Sequence, residues 1–253
     1  MQLLHHNQQG SGPNIILIHG LFGSSNNLNM VSNVLADNYT VTSVDVRNHG
    51  NSFHTNSMTY PEMAQDIINI MEHLSINNAH LLGHSMGGKI AMQCALSYPE
   101  KVNKLIVADI APVQYPAHHS DIITGLQSID LSVIKNRKAA DIQLSHYVKD
   151  IGVRQFLLKN LATSDEKLTF KCNLNYIKNA YKDIILGLHS TNSFNGETLF
   201  IKGGQSNYIV AEHRPKILAL FPKSEAKIIQ DAGHWLHAEK TLAFNKIVKK
   251  FLG

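Results

Sequence analysis

Two cysteines, Cys94 and Cys172, are too few among 253 residues for a disulfide framework or a cysteine-built metal cluster. No apolar run approaches the ~18 residues of a membrane-spanning helix, so no stable membrane insertion is expected. The opening residues Met1-Gln2-Leu3-Leu4-His5-His6 lack the basic region, apolar stretch and cleavage site of a secretory signal. A reducing, cytoplasmic setting is the expectation. Dense basic runs are also missing: the net charge is +4 and Lys and Arg are dispersed along the chain, which argues against a nucleic-acid partner. With 43% hydrophobic and 17% charged residues the chain is not a disordered one.

What is present is an alternation of strand and helix patterns. Residues 2–6 form a short entry strand, and Asn14–Ile18 is a continuous apolar run suited to a strand buried on both faces. A short helix over Asn29–Leu35 and a strand over Tyr39–Val44 follow. A helix then begins at the N-cap Thr59, with Pro61 and Glu62 in its first turn and Met63, Ile67, Ile70, Met71 and Leu74 at helical spacing. Ala79–Leu82 is the next strand, followed by a helix ending near Tyr98, in which Cys94 reads as a buried free thiol. Leu105–Ala108 is another strand. Thr198–Ile201 and Ala226–Ile229 continue the series, with a helix over 210–220 between them and an amphipathic helix from Thr241 burying Phe244, Ile247, Val248 and Phe251. Such alternation predicts an α/β fold with a doubly wound, mostly parallel sheet.

Between Val113 and Gly187 no buried strand is evident, only helix-like pieces. We therefore expect a core of residues 1–112 and 188–253, interrupted by a helical cap over 113–187. Ten Lys and Arg against seven Asp and Glu give that insertion +3 of the total +4. Solvated helix faces account for this; attraction of an anionic substrate such as an acyl-CoA is the functional alternative.

The chemistry centres on Gly83-His84-Ser85-Met86-Gly87, placed between a strand and a helix. It fits the Gly-x-Ser-x-Gly nucleophile elbow, whose serine sits on a strained corner with glycines where strand and helix cross. A serine hydroxyl needs a base to take its proton, and His234 follows the last predicted strand. His237 stands three residues on, but no third ligand lies at a recognisable spacing, so no metal is expected. The base in turn needs a carboxylate. From Lys202 through Ala211 there is no Asp or Glu; Asp109 ends the strand after the elbow's helix and is favoured over Asp45, whose neighbours Arg47 and His49 suit it to a structural role. For the oxyanion, Met86 N–H at the helix start is one donor. Leu21 in the His19-Gly20-Leu21-Phe22 loop is the other, with Phe22 next.

His19-Gly20…Gly23, Asp45-Val46-Arg47-Asn48-His49-Gly50-Asn51-Ser52, the elbow and Gly233-His234 together resemble the α/β-hydrolase superfamily over nearly the whole chain. Many members carry the acid after the strand matched here by Thr198–Ile201, where this sequence has Asn207. Asp109-Ile110-Ala111-Pro112, Gly-Gly-Gln-Ser-Asn-Tyr and Gly-His-Trp-Leu-His-Ala-Glu-Lys are instead similar to the YbfF-type bacterial esterases and their mitochondrial relatives. The resemblance implies hydrolysis of small-molecule carboxylic esters, and of acyl-CoA thioesters, without a cofactor. Trp235 and Phe22 are expected to shape the substrate pocket and Ser206 to touch the imidazole. The same fold and triad also serve carbon–carbon bond hydrolases, pyruvate-eliminating synthases and small-ligand receptors. Nothing in the sequence specifies an oligomeric state.

Overall fold

A computed structural model describes residues 2–164 and 167–253. In chain order its elements are β1 (His6–Gln9), β2 (Asn14–Ile18), α1 (Asn29–Leu35), β3 (Thr40–Val44), α2 (Tyr60–His73), β4 (Ala79–His84), α3 (Met86–Ser97) and β5 (Val102–Ala108). Next come α4 (Ser120–Gln127), α5 (Arg137–Leu144), α6 (Ile151–Leu157), β6 (Leu161–Ser164), β7 (Lys167–Phe170), α7 (Leu174–Asn179) and α8 (Tyr181–Ile184). The chain returns through β8 (Glu197–Gly203), α9 (Arg214–Leu220), β9 (Ser224–Ile229), α10 (Leu236–Glu239) and α11 (Thr241–Leu252).

Seven strands pair in the order β1-β3-β2-β4-β5-β8-β9, and every pairing except the antiparallel β1–β3 is parallel. The period of two along each strand sorts side chains onto two faces. Ile16, Ile18, Leu81, Val107 and Phe200 pack beneath α2, α3 and the insertion. Ile15, Leu17, Leu82, Ile106, Leu199 and Ile201 pack against α1 and α11. Each such fully buried side chain contributes about 1.5–3 kcal/mol relative to exposure. The mostly parallel, doubly wound sheet expected from the alternation is therefore present.

Three local differences have physical causes. The entry strand lies at His6–Gln9, later than residues 2–6, because an edge strand takes its hydrogen bonds from β3 and needs no apolar side chains. The insertion, expected to be free of strands, contains the antiparallel hairpin β6–β7. Its strands are four residues long, too short for alternation to show. Asp165 and Glu166, included in the cap charge, lie outside the described residues. Ile247 and Phe251 of α11 are only partly buried, whereas Phe244 and Val248 are fully so.

The two ends of the insertion are stitched together at the carboxyl edge of the sheet. Leu188 N donates to Pro112 O at 3.1 Å, and Tyr115 N donates to Ile185 O at 2.9 Å. The intervening helices are thus held over the edge where open α/β sheets gather ligands.

Gly83 and Gly87 carry the crossing of β4, α3 and β2. A Cβ at Gly83 would lie 2.1 Å from Gly87 O, and one at Gly87 would lie 2.2 Å from Ile18 O. Backbone, unlike a flexible side chain, has nowhere to move. Gly87→Ala is expected to destabilise the fold by about 3 kcal/mol or more, read as a lowered denaturant midpoint; an unchanged midpoint would contradict the crossing geometry.

Candidate active site

Ser85 sits between the end of β4 and the first turn of α3, with φ 54° and ψ −122°. A non-glycine residue in this region is strained, and such strain persists only where the surroundings over-determine it. Here Ser85 N donates to Ala108 O at 2.9 Å, tying the corner to β5, while Ser85 O accepts from Gly88 N at 2.8 Å. The hydroxyl is left facing the cavity under the insertion.

An unbroken chain of hydrogen bonds joins three of the expected residues. His234 Nε2 lies 2.9 Å from Ser85 Oγ, and His234 Nδ1 lies 2.7 Å from Asp109 Oδ2. With the proton on Nδ1 directed to the carboxylate, Nε2 is free to accept from the serine. Asp109 is wholly buried at the end of β5 with φ 52°. Its Oδ1 accepts from Gly203 N at 2.9 Å, so β8 supplies a donor even though it carries no acid in its loop. Asn207, in that loop, is exposed.

Ser206 departs from the expectation. Its hydroxyl donates to Asp109 Oδ2 and makes no hydrogen bond to the imidazole among the described residues. It holds the carboxylate that holds the histidine, and it is buried beside Asp109 rather than placed as a substrate contact. The reason is topological: β8 runs parallel beside β5, so its following loop meets the end of β5 before it reaches β9.

The oxyanion loop departs at one position. Phe22 N donates to His49 Nε2 at 3.1 Å, which removes Phe22 from the candidate oxyanion donors. Its carbonyl accepts from Asn160 of the insertion. Leu21 N and Met86 N make no hydrogen bond among the described residues, and both residues line the cavity at Ser85. Met86 N lies at the N-terminus of α3, where the helix dipole favours negative charge.

Two histidines invisible to triad reasoning shape that loop. His19 Nδ1 donates to Gly20 O at 2.8 Å while its Nε2 accepts from Val46 N at 3.0 Å. His49 accepts from Phe22 at Nε2 and so donates from Nδ1 to Arg47 O at 2.9 Å. Both roles require neutral rings. Burial lowers the His19 pKa, and burial with the nearby His19 lowers that of His49 to about 3. Asp45 is structural as expected, but through other partners: it accepts from Ser25 N at 2.7 Å and Asn51 N at 2.9 Å. Arg47 instead pairs with Asp66 at 2.6 Å.

On the other side of the His234 imidazole, the Tyr208 ring stacks on it at 3.9 Å between centroids. His84 Nε2 donates to His234 O at 2.8 Å, and burial holds its own pKa well below the usual value. Phe22, Ile122, Phe156, Leu157 and Trp235 line an apolar chamber of about 260 Å³ that opens onto Ser85. Phe156, from the insertion, meets Trp235 at 5.4 Å.

A family model for the α/β hydrolase fold matches residues 13–135. A putative esterase/lipase of Haemophilus influenzae is 40% identical over 241 residues, covering 95% of this chain and 83% of that protein. Esterase YbfF of Escherichia coli is 35% identical over 247 residues, covering 97% and 95%. The chain belongs to the α/β-hydrolase family. Among solved structures, a marine microorganism esterase superposes on this hydrolase with TM-score 0.96 at 37% identity, over 99% of this chain and 100% of that one. Among the described residues, no helix of the hydrolase is long and apolar enough to cross a membrane.

The neutral histidines carry a consequence for stability. In the unfolded chain these imidazoles take protons near 6.5, whereas native His49 takes one only near 3. The unfolded state therefore binds more protons in between, and stability rises with pH across that window. Unfolding midpoints should fall progressively as pH drops from about 6.5 toward 3, and NMR should find the His49 ring still neutral at pH values well below 6.5. A His49 that titrates at the ordinary value would contradict this hydrogen-bond assignment.

Proposed function

We propose that this protein is a serine hydrolase that cleaves carboxylic esters, and acyl-CoA thioesters by the same route, through an acyl-enzyme. The observation that carries the reading is the continuous chain from Ser85 Oγ through His234 to the buried Asp109. The names of the relatives, esterase and esterase/lipase, agree with it.

In this mechanism Ser85 Oγ attacks the substrate carbonyl as His234 Nε2 takes its proton. Asp109 stabilises the imidazolium and keeps its ring oriented, and Ser206 and Gly203 N hold the carboxylate in turn. Leu21 and Met86 N–H groups receive the developing oxyanion, an interaction that strengthens toward the transition state. Collapse breaks the acyl–oxygen or acyl–sulfur bond, and His234 protonates the departing alcohol or thiol. Water then attacks the acyl-Ser85 with His234 again as base, releasing the acid and restoring the serine.

The insertion over 113–187 acts as a cap in this reading, with Phe156 and Leu157 closing the apolar chamber against Trp235. A neighbouring cavity of about 270 Å³ lined by Arg137, Lys159 and Lys171 suits the phosphates of a thioester's carrier. That cavity shares Asn27, Gln155 and Lys159 with a larger one reaching His234 and Trp235.

Ser85→Ala is expected to abolish both turnover of short p-nitrophenyl esters and labelling by a fluorophosphonate, with an unchanged circular dichroism spectrum. Retained turnover would falsify the nucleophile. Asp109→Asn should lower kcat by about 10⁴-fold, the scale seen for triad carboxylates, with Asn207→Ala close to wild type. A reversed order of damage would move the acid into the loop after β8.

A further inference from the structure

Successive peptide groups of the oxyanion loop are each held by a different partner. The Gly20–Leu21 group carries the Leu21 N–H, and its carbonyl accepts from His19 Nδ1 at 2.8 Å and from Gly23 N at 2.9 Å. The Leu21–Phe22 group is anchored by its N–H on His49 Nε2 at 3.1 Å. The Phe22–Gly23 group is held at its carbonyl by Asn160 Nδ2. His19 and His49 lie in the loops after β2 and β3, whereas Asn160 comes from the insertion, 138 residues beyond Phe22.

Phe22 is where this loop is strained. The bond from Gly23 N to Gly20 O closes a β-turn whose third residue, Phe22, has φ 59°. Glycine or asparagine normally takes such a position, and a phenylalanine stays there only while its surroundings over-determine it. The Phe22–Gly23 group has both ends in use. Its carbonyl is on Asn160, and its N–H is on the oxygen of the very group that presents Leu21 N–H. Phe22 is buried, so losing the Asn160 donor leaves a carbonyl without a partner, which is costly. Rotation of the group to recover one releases Gly20 O and lets the Leu21 N–H turn away.

Asn160 is itself held firmly. It is buried, its amide also donates to Leu157 O at 3.1 Å, and its own carbonyl accepts from Lys171 N at 2.8 Å where the hairpin β6–β7 begins and ends. Asn173 N donates to Asn48 O at 2.9 Å, next to His49. The insertion thus grips both segments that meet at the Phe22–His49 hydrogen bond.

We propose that Asn160 is a positioning residue: by holding the Phe22 carbonyl it fixes the Leu21 N–H in the direction that receives the oxyanion, so that the insertion completes the oxyanion loop as well as covering it. The inference rests on the esterase reading. Leu157, which lines the apolar chamber, is hydrogen-bonded to the same amide, so the chamber wall and the oxyanion loop are held as one unit.

The test is Asn160→Leu, which keeps the branched shape and removes the donor, with circular dichroism to establish the fold. For a p-nitrophenyl ester, kcat and kcat/KM should fall together by about 10²-fold, the scale for a group misplaced by about 1 Å, with KM little changed. Affinity for an aryl trifluoromethyl ketone, whose adduct with Ser85 places an oxyanion at Leu21 N–H, should weaken by the same factor as kcat/KM. Ester binding to Ser85→Ala should be the same with and without Asn160→Leu, which separates positioning from a general loosening of the pocket. If Asn160→Leu does not fold, Asn160→Ala is assayed in the same way. Wild-type kcat in the folded variant, a raised KM at unchanged kcat, a lowered kcat with undiminished ketone affinity, or weakened ester binding in the Ser85→Ala background each overturns the role of Asn160 and leaves the esterase reading standing. A wild-type protein that neither hydrolyses the ester nor binds the ketone overturns that reading itself.

Discussion

The strained corner at Ser85 is the constraint on which the rest of this molecule depends. A serine with φ 54° is held there because β4 and α3 cross so closely that only glycines fit at 83 and 87. The corner does three things at once. It lifts the hydroxyl out of the sheet edge, it aims the Met86 N–H at the same space, and it fixes the direction of α3. Asp109 repeats the device at the end of β5 with φ 52°. Strain at both points is stabilised by a sheet buried on both faces, where the strand ends have little freedom to relax.

Around this corner the polar groups are arranged so that one imidazole bridges Ser85 and Asp109 while others are buried with lowered pKa values. His19, His49 and His84 are buried and hydrogen-bonded through fixed tautomers, and they orient the oxyanion loop and the His234 backbone. His234 instead faces Ser85 on one side and Asp109 on the other, with Tyr208 stacked on its ring. Low dielectric strengthens each of these contacts and penalises any that is left incomplete.

Much of the site was legible because its chemistry is local to strand ends. The elbow, Asp109 and His234 each follow an apolar run, and a run of buried strand residues announces itself in one dimension. The insertion was less legible. Its hairpin, β6–β7, has four-residue strands that lie outside the main sheet, and strands of that length are too short for a periodic signal to stand out. Ser206, read as an imidazole contact, binds the acid instead, because the neighbouring strand rather than the sequence distance decides what its loop meets. Asn160 left no sign in the sequence, since its contact with the Phe22 carbonyl joins segments 138 residues apart.

By itself the sequence determined the alternation of strands and helices, the nucleophile elbow and the identity of the three residues that form the hydrogen-bonded chain. Hydrophobic periodicity and glycine placement are local properties that mark the strand ends; the choice of Asp109 also used the absence of Asp and Glu from Lys202 through Ala211. Tertiary structure decided which backbone N–H groups remain open for an oxyanion, which carboxylate contact Ser206 makes, and where the insertion presses on the site. Those outcomes depend on the order in which strands lie side by side and on contacts between segments far apart in the chain. No short-range pattern encodes either.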